Sequence, residues 1–98
     1  MKVTLEIMSG AMDGEEFRFT KSVDIGRDPQ AEISLPFDKF ISRRHARILV
    51  AEPECFLDDL GSTNGTFFGG ERVSKRIVLQ SENFFKVGRT WMQIIWEG

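Results

Sequence analysis

Short segments in which apolar and polar residues alternate run along most of this chain, and they limit its fold more than any other feature. Val3, Leu5 and Ile7 alternate with polar neighbours, and Phe17 and Phe19 do so again farther on. A period of two residues puts the apolar side chains on one face of a β-strand. Because no window sustains the apolar stripe of an amphipathic helix, the pattern predicts an all-β chain.

Turn residues separate these segments about every eight to twelve positions, which is typical of β-sandwiches and β-barrels. We predict a sandwich of two antiparallel sheets, with about ten or eleven short strands and with recognition loops at one end. The 98 residues suit one domain over residues 1–98, and nine phenylalanines and two tryptophans are expected to form the core between the sheets. Beyond the first two, the predicted strands cover residues 23–25, 32–35, 44–50, 54–58, 66–68, 71–73, 77–79, 83–87 and 90–96.

Composition argues against several classes of protein. The longest uninterrupted apolar run, Ile48 to Ala51, is far too short to cross a bilayer, and the N-terminal residues are too polar for a signal peptide. One cysteine and one histidine cannot form an intramolecular disulfide or a zinc site, so Cys55 is expected in the core and no metal or other cofactor is expected. We expect a soluble, intracellular monomer that does not associate with membranes.

Charge is distributed unevenly along the chain. The net charge of -2 argues against a nucleic-acid binder that relies on a global positive field. Between Lys39 and Arg47, however, four cations occur with no acidic residue among them. This basic segment is either a solvated strand face or a track for a nucleic-acid backbone. Its cations are Lys39, Arg43, Arg44 and Arg47.

Three polar clusters interrupt the strand pattern with residues that packing does not require. The first is Gly26-Arg27 in IGRDPQAEISL, the second lies in KFISRRHARI, and the third is the loop DLGSTNGTF. Asn64-Gly65 alone would supply the turn residues of a hairpin, so Ser62 and Thr63 are surplus to the turn. Loops displayed by a rigid scaffold commonly carry recognition, and we interpret the third cluster as half of a phosphate-binding rim.

In this order and spacing, the three clusters resemble the forkhead-associated (FHA) domain, a module that recognises phosphothreonine peptides. The hallmarks of that family are a Gly-Arg after an early strand, then a Ser-x-x-His, and then an Asn-Gly loop. Here they are Gly26-Arg27, SRRH at 42–45 and STNGT at 62–66. The flanking segments DGEEFRF and FFKVGRTWMQIIW extend the resemblance over nearly the whole chain. The resemblance implies a β-sandwich that binds a phosphothreonine-containing partner protein and that is not an enzyme.

The chemistry of the clusters agrees with that implied function. An arginine guanidinium can meet two phosphate oxygens with parallel N–H bonds and stays charged at physiological pH. Hydroxyl groups add further bonds, and an asparagine amide, with a donor and an acceptor, suits pairing with a peptide backbone. The resemblance implies that Arg27, Ser42, Arg43, Thr63 and Asn64 contact the phosphopeptide, and that Gly26, His45 and Gly65 support the loops.

Two positions depart from the family pattern. Many members carry an arginine or lysine two residues before the serine, where this chain has Phe40, so a supporting cation is expected to be missing or displaced. Many also have Asn-Gly after the strand that follows the third cluster, where this chain has Gly69-Gly70, so a loop tether is expected to be absent. Gly26 and Gly65 are expected to need positive φ, which a β-branched residue tolerates badly.

Two further hypotheses come from the residues themselves. Ser42, His45 and either Asp58 or Asp59 contain the groups of a hydrolytic triad, although no GxSxG elbow is present. Alternatively, the phosphate pocket is vestigial and a partner binds a sheet face without phosphate. A hydrolase would turn over activated esters, whereas phosphate-independent binding would survive the loss of Arg27.

Overall fold

The computed structural model describes residues 1–97, and eleven strands form two sheets, which confirms the predicted all-β sandwich. A single 3-10 turn, Gly10–Met12, lies between the first two strands. The strands are β1 (Lys2–Ile7), β2 (Glu16–Phe19), β3 (Val23–Gly26), β4 (Ile33–Ser34), β5 (Ala46–Ala51), β6 (Glu54–Asp59), β7 (Thr66–Phe68), β8 (Glu71–Arg72), β9 (Ile77–Leu79), β10 (Phe84–Val87) and β11 (Thr90–Glu97).

The two sheets have six and five strands. The six-stranded sheet has the order β2-β1-β11-β10-β7-β8, and the five-stranded sheet has the order β4-β3-β5-β6-β9. One pair differs from the predicted antiparallel pairing, because β3 and β4 run parallel, with Ile25 opposite Ile33. The loop after β3 carries the chain back alongside β3, so that β4 runs in the same direction as β3.

Aliphatic side chains from the inner faces of both sheets form the core. In β1, the alternation seen in the sequence holds in space, since Val3, Leu5 and Ile7 are buried while their neighbours are half-buried or exposed. Cys55 is buried, as predicted. The other large core residues include Ile25, Ile33, Ile41, Ile48, Leu57, Leu79, Phe85, Met92 and Ile94.

The prediction that the aromatic residues fill this core was wrong for four of them. Phe85 is buried, but Phe37, Phe40, Phe84 and Trp91 are exposed. Strand alternation explains two of these positions. In β10 and β11 the buried side chains alternate with outward ones, and Phe84 and Trp91 are at outward positions. Phe37 and Phe40 lie in the loop between β4 and β5.

Two local details concern the strand ends. The hairpin turn predicted at Gly69-Gly70 is present between β7 and β8, and both glycines have positive φ, 60° and 82°. Strand β5 begins at Ala46 and not at the predicted Arg44, because residues 42–45 are closed into a loop by the side chain of His45. Among residues 1–97, no helix has the length and apolar character needed to span a membrane.

Candidate functional site

Three loops meet at Ser42. We call residues 27–32, 35–45 and 60–65 the first, second and third site loops. The Arg27 N–H in the first loop donates to the carbonyl oxygen of Ser42 at 3.0 Å, and the Thr63 N–H in the third loop donates to the Ser42 hydroxyl oxygen at 3.1 Å. One residue of the second loop therefore links the other two, and the hydroxyl of Ser42 keeps its own proton to donate.

The side chain of Arg27 lies along the second loop. Its Nε donates to the carbonyl oxygen of Ile41 at 3.0 Å, and the residue is exposed. Within residues 1–97, its terminal nitrogens donate to no other group and lie within salt-bridge distance of no carboxylate. The guanidinium is thus held beside the residue that precedes Ser42, with its outer N–H groups open to solvent.

The buried side chain of His45 connects the second and third site loops. Its Nδ1 accepts the Ser42 N–H at 3.0 Å, and its Nε2 lies 2.8 Å from the carbonyl oxygen of Gly65. Only a neutral ring with the proton on Nε2 satisfies both bonds. Burial lowers the pKa of His45, although the bond to Gly65 opposes this effect. A buried, neutral His45 agrees with the supporting role implied by the sequence.

Asp59 organises the third loop, and sequence reasoning missed this function. One carboxylate oxygen accepts the N–H groups of Gly61 and Ser62, and the other accepts the hydroxyls of Ser62 and Thr66 at 2.6 and 2.7 Å. Burial raises the pKa of the Asp59 carboxyl, but these hydrogen bonds outweigh it and hold the pKa below its usual value. The signal in the sequence was an aspartate two and three residues before Gly-Ser, the spacing of an Asx turn.

Asn64 and Arg72 fix the rest of the third loop. The Asn64 side-chain Nδ2 donates to the carbonyl oxygen of Phe40 at 3.0 Å, which joins the tip of the third loop to the second. Arg72, at the end of β8, donates from Nη2 to the carbonyl oxygen of Ser62 at 3.1 Å. No local pattern in the sequence indicated the Arg72 contact, because the contact depends on the β7–β8 hairpin folding back onto the third site loop.

The two supporting glycines act for different reasons. Gly65 has φ +95°, as predicted. Gly26 does not have positive φ, so that part of the prediction was wrong; a Cβ there would lie 2.0 Å from the carbonyl oxygen of Arg43. Gly26 is therefore required because the second loop approaches β3 too closely for any side chain.

The basic segment is largely paired with carboxylates. Arg47 and Asp24 share two hydrogen bonds of 2.6 and 3.1 Å, and the bond from Arg47 is the main reason that the pKa of Asp24 lies below its usual value. Arg44 approaches the same carboxylate at 3.6 Å. Arg43 lies 3.6 Å from Asp28 and is mostly exposed. The segment is thus not a continuous track of free cations.

A fourth segment, the β10–β11 turn, also contacts the site loops. Asp38 accepts the Arg89 N–H at 2.9 Å and the Thr90 hydroxyl at 2.7 Å. Gly88 donates its N–H to the carbonyl oxygen of Gly65 at 3.3 Å, and a Cβ at Gly88 would lie 2.7 Å from Ile41. No spacing in the sequence indicated that this turn belongs to the site.

The groups of the hydrolytic hypothesis come close together but are not connected as a triad. His45 accepts the main-chain N–H of Ser42, and its second ring nitrogen bonds the Gly65 carbonyl. The Ser42 hydroxyl accepts the Thr63 N–H, and Asp59 accepts from Ser62 and Thr66. Both nitrogens of the base are therefore committed to the main chain and cannot take a proton from Ser42 in this arrangement.

Comparison with known proteins gives a consistent result. The FHA domain family model matches residues 23–88. The FHA domain-containing protein FhaB of Mycobacterium tuberculosis is 30% identical over 91 residues, which cover 92% of this chain and 58% of that protein. This chain thus spans less than two thirds of the length of that relative.

Two solved structures share the whole fold. The FHA domain of the CT664 protein from Chlamydia trachomatis superposes with a TM-score of 0.90 at 27% identity, and the match covers 100% of both chains. A structure from a study of phosphothreonine-dependent FHA domain interactions superposes with a TM-score of 0.88 at 29% identity, covering 100% of this chain and 99% of the other. The family match, the relatives and the geometry of the three loops agree, and this chain belongs to the FHA domain family.

Proposed function

We propose that this FHA domain binds a phosphothreonine-containing segment of a partner protein at the rim formed by the three site loops. The observation that carries the proposal is the position of Ser42. Its hydroxyl accepts the Thr63 N–H and so keeps a proton to donate, and the Arg27 guanidinium is held on the adjacent Ile41 carbonyl. A cation and a hydroxyl donor are thus held at adjacent positions of the second site loop, and a phosphate dianion requires this combination.

Each predicted contact residue has a specific task in this proposal. Arg27 offers its two terminal nitrogens to two phosphate oxygens, and Ser42 donates its hydroxyl to the third. Because the Thr63 N–H is already used by Ser42, Thr63 contributes its hydroxyl. Arg43 supplies a second cation once it leaves Asp28.

Asn64 is proposed to bind the peptide main chain and not the phosphate. Its Nδ2 uses one hydrogen on the Phe40 carbonyl, which leaves a second hydrogen and the side-chain oxygen for a neighbouring peptide group. A bond from each would set the register of an extended segment. The phosphothreonine would then be the only side chain that reaches Arg27.

The expected affinity is micromolar. Three hydrogen bonds to a charged group at about 1.5–3 kcal/mol each give roughly 4.5–9 kcal/mol, and ordering a flexible peptide takes several kcal/mol back. With contacts by flanking residues, the free energy of binding would reach about -8 kcal/mol. A carboxylate carries one charge and lacks the tetrahedral oxygens, so aspartate in place of phosphothreonine should bind poorly.

The proposal also covers how the domain acts. We propose that residues 1–98 act as a single domain, as a monomer in the cytoplasm, and without enzymatic activity or nucleic-acid binding. The phosphothreonine-dependent interactions reported for a related FHA structure support the proposed ligand class. The pairing of Arg44 and Arg47 with Asp24 supports the exclusion of nucleic acid.

The test is calorimetry with a phosphothreonine peptide library and with unphosphorylated, phosphoserine and aspartate versions of each peptide. The Arg27→Ala protein should lose binding while its thermal unfolding stays unchanged. Arg18→Ala is the matched control, since Arg18 is an exposed cation on β2 outside the site loops. Equal binding of phosphorylated and unphosphorylated peptides, or unchanged binding by Arg27→Ala, would overturn the proposal.

A phosphate-independent interaction remains the second candidate function, and one observation favours it. Phe84 on β10 and both Trp91 and Ile95 on β11 are exposed on the outer face of the six-stranded sheet. Neighbouring exposed apolar side chains of this kind are common in protein interfaces. A partner captured through this face would be retained by Arg27→Ala and lost on Trp91→Ala.

A further inference from the structure

A row of four side chains crosses the outer face of the six-stranded sheet. Trp91 on β11 is paired with Lys86 on β10, and Lys86 is paired in turn with Phe67 on β7. Phe67 is paired with Arg72 on β8. Because directly paired residues lie on the same face of a sheet, the four side chains form one row in which aromatic rings and cations alternate. We call it the aromatic–cation row.

The row lies on the face of the sheet that points away from the core. Phe85 and Val87, on either side of Lys86, are buried, so the side chain of Lys86 lies on the opposite face of β10. Trp91 is 46% exposed, and Phe84, which lies two residues before Lys86 on the same face, is 48% exposed. Exposed aromatic side chains grouped in this way are typical of surfaces that contact another protein.

Both cations of the row are held in place by the protein itself. The Lys86 Nζ lies 4.9 Å from the centroid of the Phe67 ring and 5.7 Å from the centroid of the Trp91 ring. Arg72 Nη2 donates a hydrogen bond of 3.1 Å to the carbonyl oxygen of Ser62. Long side chains that are already positioned lose less conformational entropy when a ligand binds.

These two cations favour a partner that carries carboxylates. Within residues 1–97, no carboxylate lies within salt-bridge distance of Lys86 or Arg72. The other residue of β8, Glu71, is paired with Phe68, which packs against the core, so Glu71 lies on the other face of the hairpin. The row thus offers two cations to the acidic groups of a partner.

The distance between the two cations favours a helical partner. Neighbouring strands lie about 4.8 Å apart, so Lys86 and Arg72, which are two strands apart, are separated by about 9.6 Å. Residues seven positions apart on an α-helix share a face and lie about 10.5 Å apart. Residues that share a face of an extended segment lie about 6.6 or 13 Å apart. An α-helix therefore matches the row better than an extended segment does.

We propose that the aromatic–cation row docks an amphipathic helix of a partner protein, in which carboxylates at positions i and i+7 contact Lys86 and Arg72. An apolar side chain at i+3 or i+4 of the helix packs on Phe67, which lies between the two cations. This inference rests on the second candidate function, an interaction through this sheet face, and it specifies the partner. It does not depend on phosphothreonine binding, because none of the four row residues is a proposed phosphopeptide contact.

The experiment is an NMR titration of the isotopically labelled domain with synthetic helical peptides. The first probe is an alanine-based peptide of about 18 residues, long enough to form a helix, with glutamate at i and i+7 and leucine at i+3 and i+4. It should shift the amide signals of the four row residues and the indole signal of Trp91, with a Kd below about 1 mM. The indole signal of Trp96, which packs against the core, is the internal control and should not move.

Three matched peptides test the pattern of the helix. Glutamine in place of both glutamates should weaken binding about fivefold, because two exposed ion pairs are lost. Moving the second glutamate to i+5 turns it away from the docking face and should weaken binding about twofold. A peptide with proline at its centre cannot form the helix and should shift none of the row signals.

A charge exchange locates the helix on the row. Lys86→Glu should abolish binding of the glutamate peptide, and lysine in place of one glutamate of the peptide should restore it. Arg18→Glu, on β2 at the far edge of the same sheet, is the matched control and should leave binding unchanged at about 0.15 M salt. Thermal unfolding verifies the fold of both variants.

Several outcomes would overturn the inference. If no helical peptide shifts the row signals, if the proline peptide binds as well as the helical one, or if Lys86→Glu binds the glutamate peptide unchanged, the row does not dock an acidic helix. Row signals that shift on dilution of the domain alone would assign the row to a second copy of this chain. Shifts with single-stranded DNA but not with the helical peptide would assign it to nucleic acid.

The same measurements keep this inference separate from the two candidate functions. If only the proline peptide or another extended acidic peptide shifts the row signals, the helix is wrong and the sheet face remains an interaction surface. Phosphothreonine peptides are titrated separately against Lys86→Glu and should bind it as they bind the unmodified domain. Loss of helix binding with phosphopeptide binding intact therefore assigns the two ligands to different surfaces.

Discussion

The imidazole Nε2 of His45 donates a hydrogen bond of 2.8 Å to the carbonyl oxygen of Gly65, a residue twenty positions farther along the chain. The opposite ring nitrogen accepts the Ser42 N–H, so a single neutral ring sets the separation between the second and third site loops. Protonation of Nδ1 would replace an acceptor with a donor and break the bond to Ser42. The geometry of the proposed phosphate rim is therefore tied to the protonation state of His45.

We predict that the domain loses stability as the pH falls below about 6.5, the ordinary pKa of a histidine side chain. The pKa of His45 in the fold lies below 6.5, its usual value, so the unfolded chain takes up the proton first. The contribution of neutral His45 to stability is present above about pH 6.5 and decreases as the pH falls below that value. Urea unfolding at several pH values measures the effect.

His45 is the only histidine, so a single imidazole signal in an NMR titration reports its pKa directly. His45→Gln is the matched variant, and its stability should be lower but nearly constant across the same pH range. A titration midpoint at or above 6.5 for His45 would contradict the prediction.

Gly26→Ala should destabilise the domain by about 1–3 kcal/mol, because the new Cβ would overlap the Arg43 carbonyl and force the second loop away from β3. The same displacement should weaken phosphopeptide binding. Gly14→Ala is the control: that glycine has φ +94° with open space around it, so alanine costs only backbone strain and leaves binding unchanged. Chemical denaturation and calorimetry measure the two effects, and equal affinities of both variants would refute this account of Gly26.

Asp59→Ala should cost about 1–3 kcal/mol of stability and loosen the third loop, since the buried hydroxyls of Ser62 and Thr66 lose their acceptor. The neighbouring Asp58→Ala removes only a surface ion pair with Arg76, so we expect a loss below about 1 kcal/mol. Urea unfolding compares the two variants. Similar losses of stability in both variants would show that the hydrogen bonds of Asp59 do not organise the third site loop.

Asp28→Asn should tighten phosphopeptide binding about twofold at low salt, because it frees Arg43 from its carboxylate neighbour. The asparagine oxygen can still accept the Gln30 N–H that closes the first loop. The gain should disappear in high salt and in the double variant Asp28→Asn/Arg43→Gln. An unchanged or weaker affinity at low salt would mean that the ion pair does not compete with the phosphate.

Much of the strand framework was predictable, whereas the internal organisation of the site was not. The alternation in β1 and the Gly69-Gly70 turn depend on residues close in sequence, so local patterns indicate them well. Asp59 could have been found from the Asx-turn spacing that follows it. Asp38 could not, because its bonds to Arg89 and Thr90 join residues 51 and 52 positions apart.

The sequence by itself determined the all-β class, the positions of most strands, and which polar residues stand at strand ends, because period-two alternation and turn chemistry act over a few residues. Only the tertiary structure decided that Thr63 would meet Ser42, that Gly26 is needed for close approach and not for positive φ, and that Arg89 would supply the cation over Phe40. Those relationships join separate loops, and their distances exist only after the two sheets have packed and aligned the strand ends.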